Sequence, residues 1–173
     1  ALQKISIVKP FLDAKILING SNEKEVAVSN NNEVDVKILW SNNLTESISD
    51  AQIVASLGGN IFDKNKVSPG CGYYDSANGR IIWDKSTYQD FATIKPGQTG
   101  NISFRFTPAD LEELGDLAKN PQAYIKVSIK GRQSLGNSSS EEINNFSEKF
   151  VKIFSSFQMA TSAEFHSGNQ TLT

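Results

Sequence analysis

Gly79-Arg80-Ile81-Ile82-Trp83-Asp84-Lys85-Ser86, followed after a short gap by Phe91-Ala92-Thr93-Ile94-Lys95-Pro96-Gly97-Gln98-Thr99-Gly100-Asn101-Ile102-Ser103-Phe104-Arg105-Phe106, is the stretch that decides the fold. It reads as a strand, a short connection, a Pro-Gly turn and a second strand. Asn78-Gly79 just before it marks a tight turn, because both residues tolerate positive φ. Ile102, Phe104 and Phe106 alternate with Asn101, Ser103 and Arg105, the period-two pattern of a strand with one dry face. Such a unit specifies a β-sandwich and names no reaction.

Outward from this unit the same alternation recurs. Val34, Val36, Ile38 and Trp40 face one way while Glu33, Asp35 and Lys37 face the other. Ala51, Ile53, Ala55 and Leu57 line the inner face of the next strand, the small alanines implying a close approach of the facing sheet. Ala123, Ile125, Val127 and Ile129 alternate with Tyr124, Lys126, Ser128 and Lys130. The predicted core is Val34, Val36, Ile38, Trp40, Ile53, Leu57, Ile81, Trp83, Ile102, Phe104, Phe106, Ile125, Val127 and Ile129. Residues 3–8 and 14–18 read as short strands split by Pro10, which cannot donate to a ladder and suits an edge or a kink between sheets. Val26 and Val28 form a short edge segment. Ser147–Phe154 and Met159–Phe165 read as later strands.

The connections are read from turn chemistry. Gly58 to Gly72 is expected to be a long connection, and Gly72–Asp75 with Arg80–Asp84 a hairpin. Gly131 to Asn145 is expected to be a polar loop. A single helix is expected near 108–118, with Thr107 as N-cap, Pro108 at the first helical position and Leu111, Leu114 and Leu117 on one face. The fold class is therefore all-β: an antiparallel Ig-like β-sandwich of seven or more strands with one short helix.

Length and charge bound the function. A chain of 173 residues is long enough to bury about 70% of its unfolded surface in one core. The formal charge of −2 argues against a nucleic-acid backbone or an anionic membrane as the main partner. No apolar run approaches the roughly 20 residues of a membrane helix, and Ala1 reads as a processed or excised start.

Candidates for chemistry are sparse. Cys71 is the only cysteine and has no internal disulfide partner, so it reads as a loop thiol without a role. His166 is the only histidine and falls near the chain end. Glu112 and Glu113 read as solvated charge. Asp63-Lys64-Asn65 opens like a calcium loop, but Tyr74 stands where the bidentate glutamate is needed. No metal, cofactor or catalytic residue is assigned. Six Asn-x-Ser/Thr triplets, at Asn19, Asn43, Asn101, Asn137, Asn145 and Asn169, suit a polar surface and would accept glycans if the source glycosylates. Tyr73, Tyr74 and Trp83 are the candidate ligand-binding aromatics. They form a platform only if Trp83 is exposed beside the tyrosines.

The termini resemble each other. Ile5/Val151, Ile7/Ile153, Phe11/Phe157 and Ala14/Ala160 match in kind at a constant offset, as one period of a tandem array does when a fragment overruns its boundary. The expected organisation is a sandwich module over 1–154, with 155–173 a strand that begins the next repeat or pairs onto the sandwich. Met159, Thr161, Ala163 and Phe165 would give that strand one apolar face.

Taken together, the Trp40-Ser41-Asn42-Asn43 turn, Gly72-Tyr73-Tyr74-Asp75 with Asn78-Gly79-Arg80-Ile81-Ile82-Trp83, and Pro96-Gly97-Gln98-Thr99-Gly100-Asn101-Ile102-Ser103-Phe104 resemble the Ig-like repeat modules of large bacterial cell-surface proteins, most closely those of uncultured small-genome bacteria. The resemblance covers roughly Val34 to Phe106, with a looser likeness over Ala123 to Phe165. It implies a secreted or wall-associated sandwich in tandem copies, with two hairpins closing its sheets and no catalytic residues. The implied partners are neighbouring modules of the same chain or another copy, and a surface glycan or protein. The expected function is a non-enzymatic structural or adhesive module at the cell surface; the alternative is a carbohydrate- or ligand-binding sandwich.

Overall fold

The computed structural model describes residues 10–115, 120–134 and 140–154. Two sheets face each other. The smaller contains β1 (Leu12–Ile18), β3 (Val34–Asn42), β9 (Thr99–Pro108) and β5 (Phe62–Ser68), in the order β1-β3-β9-β5. The larger contains β2 (Glu25–Ser29), β11 (Ser140–Phe154), β10 (Gln122–Ser134), β4 (Ile48–Gly59), β7 (Arg80–Trp83) and β6 (Tyr73–Asp75), in the order β2-β11-β10-β4-β7-β6, and β8 (Thr93–Ile94) pairs with the start of β4. All the pairings are antiparallel but one: β2 runs parallel to β11.

Every residue of the predicted core is buried, and β1, β4 and β11 add Leu12, Ile16, Ile18, Ile48, Val151 and Ile153. The alternation in β3 and β9 sets their register, Val36 opposite Phe104 and Ile38 opposite Ile102, so that apolar partners share the inner face. Aromatic rings close the interior. The Trp40 ring meets that of Phe91 edge-on at 5.4 Å, and Phe91 meets Tyr88 at 4.9 Å. Elsewhere Trp83 packs against Phe104 at 6.1 Å and Phe62 against Phe106 at 6.0 Å. Gly100 is needed under Trp40: a Cβ there would lie 2.3 Å from the indole.

The smaller sheet hands the chain to the larger one through the turn after β1. Asn19 and Gly20 have φ of 49° and 78°, and Ile18 and Ser21 exchange backbone hydrogen bonds of 3.0 and 2.8 Å across them. The change of sheet between β1 and β2 thus falls at Asn19-Gly20. In β4, Asp50 adopts φ 50°, and the register with β10 shifts between Lys130 and Arg132. This bulge lets Ile48 and Ala51 both face inward.

Four expectations are corrected. Gly58 to Gly72 is not a long connection, because β5 occupies most of it as an edge strand. Its residues are largely exposed and polar, and its pairing to β9 is interrupted between Phe62 and Val67. Gly131 to Asn145 is not a loop, since β10 extends to Ser134 and β11 starts at Ser140. The Pro96-Gly97 turn does not close a hairpin. It carries the chain from β8 in the larger sheet to β9 in the smaller one. Finally, Thr107 and Pro108 belong to β9, where Pro108 pairs with Phe62. The helix α1 is the single turn Leu111–Leu114. Its cap is Asp110, which accepts from the Glu112 N–H at 3.0 Å and from Asn30 and Asn31 at 3.1 and 2.9 Å. These donors hold the Asp110 carboxyl below the usual carboxylate range, that of Asn31 most strongly. The strand expected over residues 3–8 and with it the role of Pro10, Leu117 of the expected helix, the resemblance between the termini, His166 and the Met159–Phe165 strand lie outside the described residues.

Candidate functional site

Strand period separates the three candidate aromatics. Trp83 points inward from β7 and is fully buried, so it presents no face to a ligand. Tyr74 lies opposite Ile81 and is half-buried. Its hydroxyl donates to the Lys64 carbonyl at 2.9 Å, and burial, with Asp63 and Asp75 nearby, raises its pKa. Tyr73 points outward and is 62% exposed. The expected three-ring platform is thus not assembled: adjacent residues of one strand face opposite ways, and Trp83 follows the inward phase of Ile81.

Tyr73 instead ends an apolar row across the outer face of the larger sheet. Reading neighbour to neighbour, the row is Phe146 (β11), Ser128 (β10), Val54 (β4), Ile82 (β7) and Tyr73 (β6). Phe146 is 83% exposed. The next row is charged: Glu148, Lys126, Ser56, Arg80 and Asp75. Lys126 meets Glu148 at 3.2 Å and Arg80 meets Asp75 at 2.9 Å. Asp75 also accepts from the Asn78 side chain, and this bond, followed by that of Arg80, holds its carboxyl below the ordinary range. The Tyr124 ring lies over Gly58, where a Cβ would fall 2.3 Å from its hydroxyl, and the Lys126 ammonium stands 5.1 Å from that ring's centre. A shallow open depression lies between the two rows, lined by Ser56, Lys126, Ser128, Phe146 and Glu148.

A second feature lies at the β4 bulge. Lys85 donates to Asp50 at 2.8 Å, and Lys130, Arg132 and Glu142 surround the pair. The contact lowers the pKa of Asp50 and raises that of Lys85, and both groups are exposed. Such pairs are screened by water and salt and add little to stability. Cys71 is an exposed thiol in the loop before β6. Among the described residues no three His, Cys, Asp or Glu side chains are grouped to hold a metal ion, and no helix is long and apolar enough to cross a membrane.

The sequence reading missed the apolar row because its members come from five strands far apart in the chain. Tyr73 carried a signal in isolation, as an aromatic out of phase with Ile81 and Trp83 across a tight hairpin. Phe146 falls between the expected loop, Gly131 to Asn145, and the expected strand, Ser147–Phe154, and belongs to neither.

No protein-family model matches the chain, and no characterised protein matches it in sequence. In three dimensions it is similar to the D312A variant of BcpA, the major pilin subunit of Bacillus cereus, with a TM-score of 0.55 and 8% identity, over 82% of this chain and 40% of that one. The chain therefore spans well under half of the pilin's length. Weaker likenesses are to a cohesin module from a Clostridium perfringens family 33 glycoside hydrolase, with a TM-score of 0.47 and 13% identity over 84% and 98% of the two chains. AvmM, which catalyzes macrocyclization in alchivemycin A biosynthesis, has a TM-score of 0.46 and 8% identity over 83% and 90%.

Proposed function

We propose that the chain is a non-enzymatic structural or adhesive module of a bacterial cell-surface repeat protein, placed outside the cell. The observation that carries this reading is the interior itself. The space between the sheets is filled by aliphatic and aromatic side chains. Apart from Lys149, the charged groups of the described residues stand outside it, and their ion pairs are exposed and not convergent acids and bases around a recess. The likeness to a pilin subunit supports a structural role, and the strand pattern quoted for the surface-repeat modules supports placement in an array. In that array the sandwich module is followed by a strand from 155–173 that begins the next copy or pairs onto this one.

The outer face of the larger sheet favours one second reading, a carbohydrate- or ligand-binding surface centred on Tyr73, Ile82 and Phe146. Aromatic faces stack on sugar rings, and this row carries two exposed rings, Tyr73 and Phe146. A binding test separates the two readings. The full chain is titrated with cell-wall polysaccharide and a panel of soluble glycans, alongside Tyr73→Ala and Phe146→Ala. A structural module shows no saturable binding. Saturable binding of the parent that is lost in both variants, with unchanged melting temperatures, establishes the second reading.

A further inference from the structure

We infer that the first and last segments of the described chain form a clamp that resists tension applied between Phe11 and Phe154. The inference rests on the structural reading for its biological purpose, but its geometry stands alone.

The argument begins with direction. β2 and β11 are parallel, with Glu25 beside Phe150 and Ser29 beside Phe154. Upstream contacts advance in the same sense. Asn145 donates to Asp13 at 3.3 Å, Lys149 donates to Asn22 at 3.2 Å, and Lys152 meets Glu25 at 2.7 Å. The first segment of the chain thus runs alongside the last, pointing the same way.

A pull applied at Phe11 and Phe154, where the described segments begin and end, draws β1 and β2 backward along their axes and β11 forward along its own. Parallel neighbours loaded this way must slide past each other, so the bonds between them share the force and break together. An antiparallel pair pulled apart at facing residues opens one bond at a time. The same sliding load falls on β1 against β3, where Leu12 to Ile18 are paired with Asn42 to Val36. Sliding also drags buried anchors through the core: Leu12, Ile16 and Ile18 on β1, Val28 on β2, and Val151 and Ile153 on β11. Lys149 is 6% exposed and ties the β1–β2 turn to β11 from inside the sheet edge.

Single-molecule force measurement on the full chain tests this, with Cys71→Ser to leave the attachment points unique. One geometry pulls end to end across the described segments, through Phe11→Cys and Phe154→Cys, both exposed positions. The other pulls across facing residues of the β10–β11 hairpin through Lys126→Cys and Glu148→Cys, which are register partners. Forced unfolding reports the unfolding barrier. At equal loading rate the end-to-end rupture force is expected to be several times the transverse one. Equal or lower force end to end overturns the clamp. A second variant localises it. The Phe150 N–H bonds the Lys24 carbonyl, which makes Val26 the next donor in the parallel ladder. Val26→Pro removes that donor. It is expected to lower the end-to-end force and leave the transverse force unchanged; a folded variant with undiminished end-to-end force also overturns the proposal. If Val26→Pro does not fold, the two geometries on the parent sequence decide. A weak chain found at the cell surface sinks the clamp and spares the structural reading, and a strong chain found inside cells does the reverse.

Discussion

Phe104→Ala lowers stability by about 3–5 kcal/mol, the cost of removing a large buried side chain and leaving its space unfilled. Phe104 is 2% exposed, faces Val36 in the register of β3 and β9, and packs on Trp83 of the opposite sheet at 6.1 Å. It therefore joins the two sheets. Both backbones are fixed by their own ladders, so the cavity cannot close by local collapse. For a chain of this length each kcal/mol moves the melting temperature by roughly 2–4 °C, and the expected drop is large enough to read by calorimetry. A melting temperature within a degree or two of the parent's would show that Phe104 does not join the sheets.

Asn42→Asp is the second large effect, and it keeps the side-chain shape. Asn42 is fully buried. Its amide donates to the carbonyls of Glu46, Ile94 and Lys95 at 2.9, 3.2 and 3.1 Å, and its side-chain oxygen accepts from the Leu44 N–H at 3.0 Å. One residue thus ties the β3–β4 connection to the crossing that leads from β8 to β9. A carboxylate there has no hydrogen to give and faces three carbonyl oxygens. Leaving such acceptors unpaired and burying a charge costs about 3 kcal/mol or more. Urea denaturation at neutral pH measures this as a lower midpoint at unchanged slope. A midpoint equal to the parent's would show that the Asn42 hydrogen bonds do not hold the connection in place.

How much of this was legible follows from what each residue faces. β3, β9 and the inner half of β10 were readable because one face of each is dry and the other wet, so burial writes a period-two pattern into the sequence. β5 was not readable. It is an edge strand held only at Phe62, Val67 and Ser68, and its middle is charged, which guards an edge but erases the alternation. The start of β11, Ser140–Glu142, is exposed on both faces, and in the next residues only Ile143 reaches the core, so the pairing with β10 and not an apolar alternation makes this half a strand. Phe91 was hidden because its short 3-10 turn, Gln89–Ala92, offers one apolar residue and no period. The turn residues of Asn42 gave no sign of a buried cross-link, since Asn in Ser41-Asn42-Asn43 has the same local chemistry whether it faces water or the core. Trp83 was readable as core from its phase with Ile81. The apolar row that contains Tyr73 depends on strand order, which no local pattern encodes.

The function proposed for this passive, filled sandwich puts it in a chain at the outer surface of a bacterial cell. Antibodies against the purified chain, applied to intact and to permeabilised cells of the source organism, test this most directly. Intact cells are expected to label as strongly as permeabilised ones and to lose the label after brief external protease treatment. Labelling that appears only after permeabilisation would contradict it.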